Sequence, residues 1–221
     1  MSAVKSALLV PVAALTLLSC GGKLPTVRAQ LDSPDAGVRI AAAKALGEAR
    51  DPAAVMRLAE HLADSVPDVR KECAKALGKI GDARAAEPLA AFYDREKIED
   101  VADAGARALV QLGDPAIQPF IGLTRSIRPS VRAGAARGLG KLGAREAVDP
   151  LIRLLDDQNG DVRIAAVFAL RQIGDSRGIE AIAGKVQDND ADVESAAEKS
   201  LSGEGYQPEL NRAKRIIRRV H

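Results

Sequence analysis

Few residues in this chain are of the types that carry out chemistry. The 221 residues include two histidines, His61 and His221, and two cysteines, Cys20 and Cys73. No group of Cys and His has the spacing of a metal site. Neither a glycine-rich phosphate loop nor a Gly-x-Ser-x-Gly motif occurs. The sequence therefore predicts a protein that is not an enzyme and that needs neither a metal nor a cofactor.

One acidic cluster could in principle hold calcium. Asp188, Asp190 and Asp192 alternate along a short segment, and carboxylates are the ligands that calcium prefers. The segment lies where a helix is expected to begin, and negative side chains there stabilise the helix end. Capping is therefore the simpler interpretation of the cluster.

Composition and charge exclude other classes of protein. The chain has 32 basic and 30 acidic residues, so it lacks the basic excess that binding to nucleic acid would require. Only 2% of the residues are aromatic, and the apolar residues are mainly Ala, Leu, Val and Ile. These small and aliphatic residues favour closely packed helices. An all-α protein is expected, with no nucleic-acid partner.

The elements that position these residues follow from an internal repeat of 30–32 residues. Each copy begins at a valine, has a leucine eight residues later and, in most copies, a glycine twelve residues later. The valines are Val38, Val69, Val101, Val131, Val162 and Val193. The leucines are Leu46, Leu77, Leu109, Leu139, Leu170 and Leu201, and the glycines are Gly81, Gly113, Gly143, Gly174 and Gly205.

Each copy of the repeat predicts two helices. Apolar residues from the valine to the leucine follow helical spacing, the glycine ends this first helix, and an aspartate then caps a second one. Residues four and seven positions after the valine are small, which lets helices approach closely. Cys73 occupies one of these positions and is predicted to be a buried structural thiol. Such a short unit buries its faces only by stacking on its neighbours.

The repeat resembles a known family. Asp68–Asp82 and Asp161–Asp175 best match the pattern Asp-Val-Arg-x-x-Ala-x-x-Ala-Leu-Gly-x-Ile-Gly-Asp, which is similar to the HEAT-like repeat named after the phycobilisome lyases. The resemblance covers about residues 30–206 and implies a right-handed α-solenoid. It also leaves open a second function, as a catalytic or non-catalytic subunit related to bilin lyases. The related deoxyhypusine hydroxylases use paired His-Glu iron ligands, and this sequence has no His-Glu dipeptide.

The first residues are predicted to be a targeting signal. Lys5 precedes an apolar run from Ala7 to Leu18, which is typical of a secretory signal peptide and too short to span a bilayer. Leu17-Leu18-Ser19-Cys20 resembles the bacterial lipobox, which implies that Cys20 carries lipid. We therefore expect anchoring in the bacterial cell envelope, on the periplasmic face, and at the outer membrane if the host is Gram-negative.

Second helices usually line the concave side of such solenoids, which makes this side the default docking surface. Positions there outside the expected core carry residues common in protein interfaces. The candidates are Arg57, His61, Phe92, Phe120 and Arg153. Core burial is the favoured interpretation for both phenylalanines, and His61 falls at a variable position that suits a solvated histidine.

Two basic rows follow the first helices. Arg39, Arg70, Arg132 and Arg163 stand next to the repeat valines, where HEAT-like repeats pair arginine with acidic residues of adjacent turns. A second row, six residues after the valines, is expected to face outward, either for solubility or to engage an acidic partner. Its members are Lys44, Lys75, Arg107 and Arg137, and Phe168 interrupts it.

The expected organisation has four parts. Residues 1–19 form the signal peptide, and residues 20–30 form a linker with an N-terminal half-repeat. Residues 31–206 form five full repeats and an eroded sixth. Residues 207–221 are a basic amphipathic segment that either caps the stack or binds an anionic partner. Together these features predict an envelope-anchored scaffold that binds another protein.

Overall fold

The computed structural model describes residues 24–202 and Pro208. The predicted signal peptide, the lipidation site Cys20, most of the basic tail and His221 lie outside the described residues. Within them the chain contains α-helices and short 3-10 turns and no strand. The all-α class is therefore confirmed.

The helices alternate as the repeat predicts. The first helices of the repeats are α2 (Ala36–Glu48), α4 (Pro67–Ile80), α6 (Glu99–Leu112), α8 (Pro129–Leu142), α10 (Gly160–Ile173) and α12 (Ala191–Leu201). The second helices are α1 (Leu24–Ala29), α3 (Val55–Glu60), α5 (Ala86–Arg95), α7 (Ile117–Leu123), α9 (Val148–Leu154) and α11 (Ser176–Ala183). Short 3-10 turns follow α1 and α3 and precede most second helices, at Gln30–Asp32, Pro52–Ala54, His61–Ala63, Ala83–Ala85, Asp114–Ala116 and Arg145–Ala147.

The chain divides into two compact units, residues 1–112 and 113–221. In the first unit α2, α4 and α6 pack side by side, and α1, α3 and α5 each pack against the first helix that follows. In the second unit α8, α10 and α12 pack in the same way, with α7, α9 and α11 against them. Each unit therefore buries its apolar stripes between two layers of helices.

Side-chain caps begin many of these helices, as the sequence predicts. Asp35 accepts hydrogen bonds from the backbone N–H groups that open α2, and Asp190 does the same for α12. Asp51 and Asp82 cap the turns that lead into α3 and α5. Asp114 of repeat three does not act as a cap, because it lies inside its turn and Gly113 precedes it at φ 72° and ψ −136°. The turn of repeat four begins at Ala144, which has no capping side chain.

The first helices come into close contact through their small residues. A Cβ atom added to Gly47 would lie 2.8 Å from the Cα of Ala76, and one on Gly140 would lie 2.8 Å from the Cα of Ala169. Any larger side chain at these glycines would force the helices apart. The short spacing that the repeat predicts is therefore present in both units.

Cys73 lies in the core of the first unit, as predicted. Its side chain is fully buried. Burial raises the pKa of the thiol to about 12, and the nearby carboxylates of Asp64 and Glu72 act in the same direction. A thiol that is inaccessible and protonated at neutral pH is inert, so this residue is structural.

The glycines that end the first helices are needed for their backbone conformation. Gly81, Gly143 and Gly174 adopt left-handed conformations with φ of 75°, 62° and 71°. Arg50 occupies the same position in repeat one and also has positive φ, at 49°. A residue with a Cβ atom pays a steric penalty there, and glycine does not.

We expect Gly81→Ala and Arg50→Gly to change stability in opposite directions. No atom lies within 4 Å of a Cβ added to Gly81, so its replacement by alanine costs only backbone strain, about 1 kcal/mol. Arg50→Gly relieves the same strain and raises the free energy of unfolding by up to about 1 kcal/mol. Urea denaturation of both variants beside the wild type measures the two changes. If both substitutions changed the free energy of unfolding in the same direction, these positions would not control helix termination.

Candidate protein-binding surfaces

Four arginines beside the repeat valines tie neighbouring repeats together. Each is paired with a carboxylate 25 or 26 residues further along the chain, at 2.7–3.0 Å between nitrogen and oxygen. The pairs are Arg39–Asp64, Arg70–Glu96, Arg132–Asp157 and Arg163–Asp188. We call this set the arginine ladder, and it matches the structural role that the repeat predicts.

Each arginine of the ladder also donates to the backbone of the loop before its own helix. Arg39 donates to the carbonyl of Ser33 at 2.8 Å, and Arg132 donates to that of Ser126 at 2.8 Å. One guanidinium therefore holds two successive inter-repeat loops at once. The planar fork of arginine suits this arrangement, because it offers several donors in fixed directions.

The ladder carboxylates stay ionised although they are nearly buried. The side chain of Asp157 is 9% exposed. Burial alone would raise its pKa, but hydrogen bonds from Arg132 and from the backbone N–H of Asn159 outweigh burial and hold the pKa below its usual value. The pKa values of Asp64, Glu96 and Asp188 are lowered for the same reasons.

The second-helix candidates of the first unit are already paired within it. Arg57 forms an ion pair with Asp32. The ring of His61 lies between two carboxylates, with Nε2 at 3.4 Å from Asp32 and Nδ1 at 3.6 Å from Asp64. Arg57 thus connects α3 to the turn after α1, and His61 connects the turn after α3 to the same place. His61 is not the freely solvated residue that its variable position suggests.

Phe92 and Phe120 lie in the core instead of on a docking surface. Both are 0% exposed. A Cβ atom on Gly105 would lie 2.9 Å from the Phe92 ring, and one on Gly138 would lie 2.5 Å from the Phe120 ring. Glycine thus replaces alanine where a large ring needs room. Those two glycines were the sequence signal that the phenylalanine rings are buried. Phe92 and Phe120 are therefore not available to contact a partner.

Arg153 is the remaining second-helix candidate. It is exposed in α9 and no ion pair involves it among the described residues. A single arginine without an exposed aromatic or apolar neighbour from the predicted set makes a sparse docking surface. The predicted second-helix surface is therefore only partly available.

The row six residues after the repeat valines faces solvent throughout. Lys44, Lys75, Arg107 and Arg137 are all exposed. Within residues 24–202, Lys75 and Arg107 pair with carboxylates of their own helices, Glu72 and Asp103, at 3.2 and 3.6 Å. Phe168 is 48% exposed at the same position of α10, and Lys199, which was missed at the sequence level, continues the row on α12. We call these six residues the outward row.

A groove opens beside this row in the second unit. It lies between α8 and α10 and has a volume of about 540 Å³. Ala133, Ile164 and Phe168 contribute to its apolar lining, and Arg137 and Lys141 contribute positive charge. The sequence shows these residues two, six or ten positions after the successive valines Val131 and Val162, but not that a groove separates the two helices.

No metal-binding cluster accompanies these surfaces in the described part of the chain. Residues 24–202 contain no group of three or more His, Cys, Asp or Glu side chains placed to hold a metal ion. Asp188 and Asp190 are engaged by Arg163, and Asp190 also caps α12. Among the same residues, no helix has the length and hydrophobicity needed to cross a bilayer.

The stacked two-helix repeats and the arginine ladder define an α-solenoid repeat protein. A profile of HEAT repeats matches residues 24–110 and 117–202. Because the matched segments make up most of the sequence, the chain belongs to the HEAT-repeat family. No protein of curated function matches it.

Solved structures with similar folds include both natural and designed proteins. The complex of CpcE and CpcF, of the phycocyanin lyase from Nostoc sp. PCC7120, is 25% identical with a TM-score of 0.50, and the match covers 83% of this chain and 77% of that one. A designed armadillo repeat protein in complex with the peptide (KR)4 is 20% identical with a TM-score of 0.50, covering 81% and 98%. The second likeness establishes the fold alone.

Breaking one rung of the ladder should destabilise the second unit. We expect Arg132→Met to lower the free energy of unfolding by about 3 kcal/mol at pH 7, because Asp157 then remains buried without its partner. The lowered pKa of Asp157 means that the wild-type pair stabilises above pH ~4 and that this contribution is lost as pH falls through the folded-state pKa. The difference between variant and wild type should therefore shrink in acid.

Urea denaturation between pH 7 and pH 3 checks this expectation. Arg153→Met is the matched control, because Arg153 is an exposed arginine of the same unit without an ion pair, and its effect should stay within about 0.5 kcal/mol. Equal effects of the two substitutions, or a difference independent of pH, would contradict a structural role for the ladder.

Proposed function

We propose that this protein is a lipid-anchored scaffold that binds another protein in the bacterial cell envelope. The observation that carries the binding role is the outward row, in which five cations and one phenylalanine face solvent at the same position of successive repeats. The ladder and further pairs such as Lys71–Asp100 and Lys185–Asp156 supply polar contacts between repeats without any residue of the row. The row is therefore not required for stacking and is available to a partner.

The partner is best matched by an acidic protein surface. The row presents Lys44, Lys75 and Arg107 in the first unit, and Arg137 and Lys199 in the second. Like charges repeated at one position steer a partner of opposite charge and increase its rate of association. The structural likeness to the CpcE–CpcF complex supports a protein as the partner, since that HEAT-type fold is found bound to a second chain.

Membrane attachment is proposed from the sequence Leu17-Leu18-Ser19-Cys20. Acyl chains on Cys20 would add about 0.8 kcal/mol of membrane affinity for each buried CH₂ group. An anchor of this kind would hold the repeats at the membrane surface without a spanning helix. The solenoid would then present its partner-binding row within the envelope.

The same structural likeness supports a second candidate function. The fold is similar to a complex of phycocyanin lyase subunits at 25% identity, so a subunit related to bilin lyases is the alternative. That function predicts a linear tetrapyrrole pigment or a pigment protein as the bound species. An envelope protein is expected under the first proposal.

The anchor is tested by metabolic labelling with an alkyne fatty acid. We expect the wild-type chain to be labelled and recovered with membranes, and the Cys20→Ser variant to be unlabelled and released from them, since serine lacks the thiol that accepts the lipid. The Cys73→Ser variant is the matched control and should be labelled like the wild type, because Cys73 is buried. An unlabelled wild type would end the lipoprotein proposal.

The partner is tested by photo-crosslinking in cells that express the full chain. A photo-reactive residue at position 75 or 107 in the outward row should crosslink one envelope protein, which mass spectrometry identifies and a reciprocal crosslink confirms. Position 153 samples the second-helix face, and the exposed Ala83 serves as the control. A bound tetrapyrrole with no crosslinked protein from either face would overturn the scaffold proposal in favour of the lyase-related one.

A further inference from the structure

The outward row is entirely cationic in the first unit but includes an exposed aromatic residue in the second. At the position where the first unit carries Lys75 and Arg107, α10 carries Phe168, which is 48% exposed. Four residues earlier, Ile164 of α10 and its counterpart Ala133 of α8 stand where α4 and α6 of the first unit carry Lys71 and Asp103, whereas α2 carries Ile40. Long charged side chains are thus replaced by small and apolar ones on two neighbouring helices.

The replacement opens the groove between α8 and α10. In the first unit the equivalent surface is covered by ion pairs, Lys71 with Asp100 and Arg107 with Asp103. In the second unit Ala133 and Ala165 leave room, and the groove of about 540 Å³ forms above them.

Charge is distributed unevenly along the groove. Arg137 and Lys141 line its α8 side one helical turn apart, and no ion pair occupies either of them within the described residues. Asp161 and Ser130 lie at the end where both helices begin. The arrangement is an apolar centre with a cationic rim, which is the usual anatomy of a protein interface.

We propose that this groove binds an acidic amphipathic helix of the partner protein. Apolar side chains on one face of that helix would pack against Phe168, Ile164 and Ala133, and its carboxylates would reach Arg137 and Lys141. The groove runs about 16 Å from Ser130 to Lys141, taking a rise of about 1.5 Å per residue, which matches a helix of three turns. Apolar anchors spaced along one helix face are the recognition pattern of helix-in-groove binding.

Charge complementarity favours this occupant over a membrane surface. The carboxylate of Asp161 is exposed at one end of the groove, where it would be repelled by anionic headgroups. A peptide avoids that repulsion by placing its acidic residues only at the end that carries Arg137 and Lys141. The recess between two helices also suits inserted side chains better than a flat bilayer.

The inference rests on the proposed function, since it identifies the chemistry of the partner. It is tested with the full chain purified in detergent and a fluorescent 12-residue peptide. The peptide carries leucines at i, i+3, i+4 and i+7 and glutamates towards one end, and it is made in two versions with the glutamates at either terminus. Fluorescence anisotropy measures its affinity.

We expect one of the two glutamate peptides to bind and a peptide with lysine in place of glutamate to bind at least tenfold more weakly. Phe168→Gln should weaken binding about tenfold, since it removes the exposed aromatic anchor. The double variant Arg137→Gln with Lys141→Gln should weaken binding and flatten its salt dependence, because it removes the cationic rim.

A matched double variant in the first unit controls for general charge attraction. Lys79→Gln with Lys97→Gln removes two exposed lysines of that unit that lie outside the outward row and should leave the affinity unchanged. Circular dichroism checks that each variant is folded. If the two double variants weaken binding equally, the attraction is non-specific and the groove is not the site.

Other outcomes separate the inference from the function on which it rests. If neither peptide binds while cells still show a specific crosslinked partner, the groove proposal fails and the scaffold proposal stands. If the chain binds phosphatidylglycerol vesicles through Phe168 but binds neither peptide, the surface faces lipid and the groove proposal is wrong. If neither the peptides nor any protein is bound, both proposals fail.

Discussion

Close stacking of the first helices is the constraint on which the rest of the structure depends. A repeat of 30–32 residues is too short to bury its own apolar faces, so its core exists only between neighbours. The glycine–alanine contacts let adjacent helices approach until the backbone at each glycine lies against the alanine of the next helix. That distance in turn allows a single guanidinium to reach two successive loops, which is why the arginine ladder forms.

The same constraint divides the surface into two kinds of positions. Residues that face the next repeat are small, apolar or part of the ladder, and substitution there carries a cost in packing or in unpaired buried charge. Residues six positions after each valine face away from the stack and are free of this requirement. The outward row and Phe168 occur at these unconstrained positions, where a function can be carried without loss of fold.

Repeat three departs from the others in several features at once. Ala102 stands where the ladder has arginine, and Ser126 stands where it has a carboxylate. Val110 replaces the glycine that makes close helix contacts in repeats one, two and four. The chain divides into its two compact units after Leu112. The stacking signals therefore change in the repeat where the division occurs, and each unit keeps its own pair of ladder rungs.

The sequence by itself determined the repeat, the helix boundaries within it, the caps other than the one expected from Asp114, the structural role of the ladder and the burial of Cys73. All of these follow from local spacing and from residue size. Only the tertiary structure decided which polar and aromatic side chains remain exposed. Phe92 and Phe120 are buried against Gly105 and Gly138, whereas Phe168 is exposed above a groove. Periodicity assigns a residue to a face of its helix, but exposure also depends on the size of the side chains that the neighbouring helix brings to that place. That information comes from pairs of residues about one repeat or less apart in sequence, which meet only after the helices have packed.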